Sequence, residues 1–126
     1  MSRLLSFRDL DVWQRSMDLV VDVHALTRSF PRHELFGLTA QTRSAASSVP
    51  ANIAEGNGRF HRREYAHHVS MARGSVAELW TYLEIARRLG YVSDAQATSR
   101  LMTADAISRM LLMLMRALKK PRRSDE

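Results

Sequence analysis

The sequence predicts an all-α fold, an antiparallel up-down four-helix bundle formed by one domain. Apolar residues recur at spacings of three and four in four long segments, which is the period of an amphipathic helix. Pro or Gly residues separate these segments, and no segment shows the strict alternation of a half-buried strand. The connections between the segments are short, and short connections favour antiparallel neighbours. The chain has 126 residues, the usual length of a single domain.

The first predicted helix spans residues 9–29 and carries two adjacent apolar stripes. Ser6 and Asp9 precede and open it with the spacing of a capping box. A helix in a bundle needs only one apolar stripe to face the core, so the second stripe predicts contact with another copy of the chain. One stripe comprises Leu10, Trp13, Met17, Val20 and His24, and the other comprises Val12, Ser16, Leu19, Val23 and Leu26.

The second predicted helix spans residues 33–57 and contains Pro50. A proline inside a helix removes one backbone hydrogen bond, here to Ala46, and clashes with the preceding turn, so we expect a kink or a short break. Asn52 and Glu55 are expected to satisfy the freed backbone groups. Gly56 and Gly58 are expected to end the helix. The apolar face comprises Leu35, Leu38, Thr42, Ala45, Val49 and Ile53.

The third and fourth predicted helices span residues 61–89 and 93–118. Gly90 has the position of a left-handed residue after the last turn, and Ser93 with Gln96 has the pattern of a capping box. The end of the fourth helix is apolar nearly all round, which is typical of a helix buried on several sides. We therefore predict a bundle over residues 1–120 and a disordered tail with charges of both signs over residues 121–126. The apolar face of the third helix comprises Tyr65, Val69, Ala72, Val76, Leu79, Leu83 and Ala86.

Composition excludes several classes of protein. The chain has no cysteine, which excludes disulfides, thiolate zinc sites and cysteine nucleophiles and fits the reducing cytoplasm. Glu64 and His67 form one Glu-x-x-His pair, but a dimetal bundle needs a second pair, so we expect no metal and no cofactor. No nucleophile motif or glycine-rich phosphate loop is present, so no catalytic residue is predicted. The longest apolar run is too short to span a membrane.

The charge balance indicates an acidic partner. Nineteen Lys and Arg oppose thirteen Asp and Glu, a net charge of +6, and all the basic residues except Lys119 and Lys120 are Arg. Guanidinium groups bind phosphate through two parallel hydrogen bonds. Basic residues form two clusters, one at residues 59–63 and the other at residues 116–123. Near these clusters only Phe60 and Tyr65 could stack on bases, so we expect backbone binding with little sequence preference. The candidate nucleic-acid-binding residues are Arg43, Arg59, Arg62, Arg63, Arg116, Lys119, Lys120, Arg122 and Arg123.

The surplus apolar surface of the first and fourth helices predicts a homo-oligomer. The first helix has one stripe more than a bundle requires, and the end of the fourth has no polar face. These two helices are therefore expected to supply the contact between subunits. The candidate interface residues are Val12, Leu19, Val23, Met110, Met113 and Leu114.

Several short motifs add a resemblance to a known family. Phe7–Gln14, Glu34–Leu38, Val49–Gly56 and Leu89–Tyr91 together resemble the four-helix-bundle family named after proteins encoded in intervening sequences of bacterial 23S ribosomal RNA genes. The similarity covers roughly residues 6–118. It implies a left-handed bundle that assembles as a homopentamer. The family is related in fold to the accessory variability determinant of diversity-generating retroelements, a basic pentamer that works with a reverse transcriptase and nucleic acid, and no enzymatic activity is firmly assigned to it.

Two classes of function remain open at this point. One is a non-enzymatic oligomer that binds RNA or single-stranded DNA through its basic surface. The other is a structural adaptor that binds a protein partner through the assembled surface. Neither class requires a cofactor or a membrane, and both fit a bacterial cytoplasmic protein.

Overall fold

The computed structural model of the chain describes residues 6–121 and contains four long helices. Within these residues there is no β-strand, so the predicted all-α fold is confirmed. Two short 3-10 helices, Phe7–Asp9 and Arg32–Glu34, precede the first and second long helices. The long helices are α1 (Asp11–Thr27), α2 (Leu38–Asn57), α3 (Arg62–Arg88) and α4 (Asp94–Lys119).

Consecutive helices pack side by side, with the end of one beside the start of the next. At the junction of α2 and α3, Asn57 Nδ2 donates to the hydroxyl of Tyr65 at 3.2 Å. At the start of α3, Arg62 Nη2 donates to the carbonyl of Ala117, near the end of α4, at 2.8 Å. Both contacts join residues at opposite ends of their helices, as antiparallel neighbours require.

Helix α1 closes the bundle by packing against α2 and, less extensively, against α4. Arg43 Nε of α2 donates to Thr27 Oγ1 at the end of α1, at 2.8 Å. Arg100 near the start of α4 binds both carboxylate oxygens of Asp22, at 2.8 and 2.9 Å. Residues of α1 and α4 also line an open groove of about 460 Å³.

The core contains the predicted apolar faces of α2 and α3 and one of the two stripes of α1. Burial of these side chains removes apolar surface from water and is the main stabilisation of such a bundle. In α1, the stripe with Val23 faces inward, whereas Met17 and His24 of the other stripe are exposed. Leu35 lies outside α2 and is also exposed, so this residue was wrongly assigned to the helix face. From α4, the buried residues are Ala97, Ala104, Ile107 and Leu111.

Two helix ends follow their sequence signals closely. Ser93 Oγ accepts from the backbone of Gln96, whose side chain in turn accepts from the Ser93 backbone, so the capping box at the start of α4 is confirmed. Gly90 has a φ of 77°, and the Tyr91 backbone N–H donates to the Ala86 carbonyl at 2.9 Å. This bond satisfies a carbonyl that the end of α3 would otherwise leave without a partner.

Two predicted helix starts were wrong. Ser6 Oγ accepts from the Arg8 backbone at 3.1 Å, so it caps the first 3-10 helix and not α1. Helix α2 begins at Leu38 and not at residue 33, because a carboxylate oxygen of Glu34 accepts from the Leu38 backbone N–H at 3.1 Å. This carboxylate takes the position of a helix cap, and the chain before it forms a separate short turn.

Helix α2 is continuous through Pro50 and Gly56. The predicted break at Pro50 is absent, and a bend there remains a prediction. Asn52 Nδ2 donates to the carbonyl of Ser48 at 2.9 Å, two positions beyond the Ala46 carbonyl that the proline frees. Gly56 does not end the helix as predicted; it is buried within α2, against α3.

Candidate nucleic-acid interface

The fold brings two separate basic clusters of the sequence to one end of the bundle. Because α3 and α4 are antiparallel, the start of α3 lies beside the end of α4. Arg62 Nη2 donates to the carbonyl of Ala117 at 2.8 Å and to that of Lys120 at 3.3 Å, across more than fifty positions of sequence. We call this surface the basic end. Its residues are Arg59, Arg62, Arg63, Arg116, Lys119 and Lys120.

Two arginines of the basic end are engaged within the protein. Arg59 forms an ion pair with Glu55, one turn earlier, and lies 3.9 Å from a carboxylate oxygen of Glu64. Arg62 is half-buried and binds carbonyls at the end of α4, where the helix dipole is negative. These two side chains therefore have less capacity for an external phosphate than the sequence indicated.

The other four cations of the basic end are exposed, and three of them, Arg63, Lys119 and Lys120, share one groove that Arg116 does not line. Among the described residues, no carboxylate forms an ion pair with Arg63, Lys119 or Lys120. All three line an open groove of about 900 Å³ between the start of α3 and the end of α4. Arg63 and Lys119 also line an adjoining groove of about 440 Å³ that continues along α3 past His67 and Ser70. This arrangement provides positive charge along a continuous surface.

The two aromatic residues near the clusters have different environments. Tyr65 is half-buried against the core, and its hydroxyl accepts from Asn57. Phe60 is 93% exposed and lines the larger groove together with the exposed cations. Of the two rings, only that of Phe60 presents its face to solvent.

One candidate residue lies elsewhere, and two lie outside the described residues. Arg43 is at the opposite end of the bundle, which we call the loop end (residues 28–37 and 89–93). There its guanidinium joins α2 to the end of α1 through Thr27 Oγ1 and, at 3.5 Å, the carbonyl of His24. Arg43 was therefore wrongly grouped with the other cations. Arg122 and Arg123, with the rest of the predicted tail after Pro121, fall outside the described residues.

The structure also corrects half of the predicted oligomer interface. Val12, Leu19 and Val23 are 6%, 5% and 0% exposed, so they already belong to the core of the single chain and were wrongly assigned to a subunit contact. The periodicity did not reveal which stripe of α1 faces inward. On α4, Met113 is 70% exposed while Met110 and Leu114 are partly buried, and their contact with another subunit remains a prediction.

A polar contact at the loop end was missed in the sequence. Tyr91 donates its hydroxyl to Glu34 at 2.8 Å and so joins the α1–α2 and α3–α4 connections. This hydrogen bond, with the one from the Leu38 backbone, lowers the pKa of Glu34, and the carboxylate raises the pKa of Tyr91. Near this contact, hydrogen bonds from Arg87 and, to a smaller extent, from Arg88 lower the pKa of Glu84 to about 2. Both Glu34 and Tyr91 lie in the motifs that carry the family resemblance. These motifs were the sequence signal that could have indicated a contact between the two residues.

Neither a metal site nor a membrane span is present in the part of the chain that the structure describes. Within residues 6–121, no three His, Asp or Glu side chains are grouped closely enough to hold a metal ion. None of the helices there combines the length and the apolar character needed to cross a bilayer.

The fold and the basic end define a class of protein, a small basic helical bundle. A sequence model of the 23S rRNA-intervening sequence protein family matches residues 8–113, and the chain belongs to this family.

A solved structure supports the same fold. It is the 1.70 Å crystal structure of a protein of unknown function from the S23 ribosomal protein family of Bacteroides thetaiotaomicron VPI-5482. The likeness has a TM-score of 0.75 at 20% sequence identity and covers 82% of this chain and 97% of that one. At this identity the likeness concerns the fold alone. No curated protein matches the sequence.

Proposed function

We propose that this protein is a non-enzymatic homo-oligomer that binds nucleic acid, RNA or single-stranded DNA, through its basic end. The observation that carries the proposal is the convergence of Arg63, Lys119 and Lys120 on one open groove, where no carboxylate of residues 6–121 pairs with them. Positive charge that is not neutralised within the protein attracts a polyanion and raises its local concentration. The net charge of +6 acts in the same direction.

Phosphate contacts of this kind determine affinity and not sequence preference. Each phosphate that a cation neutralises releases counterions, so the logarithm of the affinity falls linearly with the logarithm of the salt concentration. Lysine ammonium groups bind phosphate as point charges, and Arg63 adds a guanidinium that can bind two phosphate oxygens. The basic end is therefore suited to a phosphate backbone of any sequence.

Assembly into an oligomer would repeat the basic end in several copies. The exposed Met113 of α4 and Met102 beside the α1–α4 groove, 70% and 66% exposed, are apolar surface of the kind that subunit contacts cover. The family resemblance implies five subunits. A ring of basic ends would bind one polyanion at several points and gain affinity from multivalency. A monomer mass by light scattering at micromolar concentration would refute this part of the proposal.

The binding experiment compares two triple variants. One changes Arg63, Lys119 and Lys120 to Gln and removes the three free cations that line the groove of the basic end. The matched control changes Arg28 and Arg32 of the loop end and the adjoining Arg88, at the end of α3, to Gln and so removes the same charge from the opposite end of the bundle. Fluorescence anisotropy with mixed-sequence RNA and DNA, at several salt concentrations, gives the affinity and its salt dependence.

The proposal expects the basic-end variant alone to bind weakly. With about 0.7 units of slope per contact on a single strand, loss of three contacts makes the salt dependence shallower by roughly 2 units for each engaged subunit. The loop-end variant keeps the wild-type slope. Equal weakening by both variants, or no wild-type binding at roughly 0.15 M salt, would contradict a nucleic-acid site at the basic end.

A second candidate function is a structural adaptor for a protein partner. The observation that favours it is the exposed apolar surface at the loop end, where Phe36 is 93% and Leu89 is 55% exposed. Exposed apolar surface in the two connections at one end of the bundle is a candidate for a protein contact. This function predicts no retention of nucleic acid and a basic-end variant that behaves like the wild type. A pull-down with wild-type protein and a Phe36→Ala, Leu89→Ala variant would then identify the partner and its site.

A further inference from the structure

The exposed ring of Phe60 at the basic end needs a physical explanation. Phe60 lies in the connection between α2 and α3, with 93% of its surface accessible to water. A single exposed apolar residue is common on protein surfaces and would not by itself indicate a site. Phe60, however, lines the same groove as Arg63, Lys119 and Lys120.

Backbone hydrogen bonds hold the connection that carries this ring. The Arg59 backbone N–H donates to the carbonyl of Gly56 at 3.0 Å, and the Tyr65 backbone N–H donates to the carbonyl of His61 at 3.1 Å. The His61 ring lies edge-on to the Phe60 ring, with 5.1 Å between the ring centroids. Because the short connection is fixed on both sides of Phe60, binding of a ligand to the ring would cost little conformational entropy of the protein backbone.

We propose that Phe60 stacks on an unpaired base of a single-stranded nucleic acid whose phosphates contact Arg63, Lys119 and Lys120. This inference rests on the function proposed above and specifies its ligand. Every base has an aromatic face, so stacking on a phenyl ring tolerates any sequence. In a duplex the faces of the bases are covered by their neighbours, and sequence-independent binding through aromatic side chains is typical of single strands. The ring thus selects single strands, while the cations attract any polyanion.

The test uses a matched pair of phenylalanine variants. Phe60→Ala removes the ring at the basic end, and Phe36→Ala removes an equally exposed ring at the loop end. The ligands are a labelled mixed-sequence single strand, its duplex, and an abasic strand with the same number of phosphates. Circular dichroism and light scattering verify that each variant keeps its helix content and its mass.

The stacking proposal makes a specific forecast for these ligands. Phe60→Ala weakens binding of the single strand roughly tenfold, the loss typical of one stacked base, and leaves the duplex and the abasic strand unaffected. The slope of log affinity against log salt stays at its wild-type value, because no charge is removed. Phe60→Trp restores single-strand binding. Phe36→Ala behaves like the wild type on all three ligands.

The contrary results separate this inference from the proposed function. If Phe60→Ala binds the single strand as the wild type does, while the basic-end triple variant binds weakly, stacking is refuted and the phosphate site stands. If the wild type binds none of the three ligands, both fail. If Phe60→Ala changes the oligomer mass, Phe60 belongs to a subunit contact and the stacking inference is wrong.

Discussion

Substitution of Gly56 by Ala tests the close approach of α2 and α3 at this residue. A methyl group built on Gly56 would lie 2.7 Å from Cβ of His68, 3.1 Å from Cδ1 of Tyr65 and 3.2 Å from the Tyr65 carbonyl oxygen. The His68 Cβ is attached directly to the backbone of α3, so rotation of a flexible side chain cannot relieve the contact. The two helices must separate next to the basic end.

The expected loss is the difference between two opposing effects. Overpacking of a tight contact typically lowers the free energy of unfolding by about 1–3 kcal/mol. A Cβ–Cβ distance this short indicates a cost of about 3 kcal/mol. Ala is a better helix former than Gly by about 1 kcal/mol, which offsets part of this cost. The free energy of unfolding of the Gly56→Ala variant should therefore fall by about 2 kcal/mol. For a chain of this size that corresponds to a melting temperature lower by roughly 8 °C.

Gly74 provides the matched control within the chain. It is exposed in α3, and a methyl group built on it has no neighbour within 4 Å. Only the helix-propensity effect applies there, so Gly74→Ala should gain about 0.5–1 kcal/mol. Thermal and urea denaturation, followed by circular dichroism at one protein concentration, measure both variants. Stabilisation of the protein by Gly56→Ala as well would refute the close approach of α2 and α3.

Three further predictions concern polar contacts. Tyr91→Phe should lower the melting temperature and raise the pKa of Glu34 toward its usual value, because the hydroxyl that stabilises the carboxylate is lost; an unchanged Glu34 titration by NMR would contradict this. Arg100→Gln should lower the free energy of unfolding by roughly 1 kcal/mol, since it removes the two-point contact of α4 with Asp22. Arg15→Gln, in an exposed ion pair, should lower it by less than about 0.5 kcal/mol. Equal losses in urea titrations would show that the contact between Arg100 and Asp22 is not stabilising. The pKa of the Glu84 carboxylate is lowered from 4.5 to about 2, so the stability from its pairing is complete above the unfolded-state pKa and is lost as the pH falls from about 4.5 through 2. Glu84→Gln should therefore make the melting temperature depend less on pH in this window. Parallel curves of melting temperature against pH for the variant and the wild type would refute the assignment.

The helices and several of their ends were predictable because their signals are local. A run of apolar residues every three or four positions determines the buried face of α3, from Val69 to Ala86, whatever the helix packs against. The capping box at Ser93 and the left-handed Gly90 act through backbone groups only a few residues away. The start of α2 was missed because its cap is the Glu34 carboxylate, which lies four positions before Leu38 and not at the usual cap position.

Only the tertiary structure decided how these helices face each other. Both stripes of α1 have the same period, and the rotation of α1 against α2 and α4 buries Val23 and exposes Met17. Arg62 and Arg63 are adjacent in sequence, yet successive residues of a helix point in directions about 100° apart. Arg62 therefore binds the end of α4, whereas Arg63 is exposed to solvent. Convergence of the two basic clusters likewise depends on antiparallel packing between segments more than fifty residues apart, a distance over which no local pattern carries information.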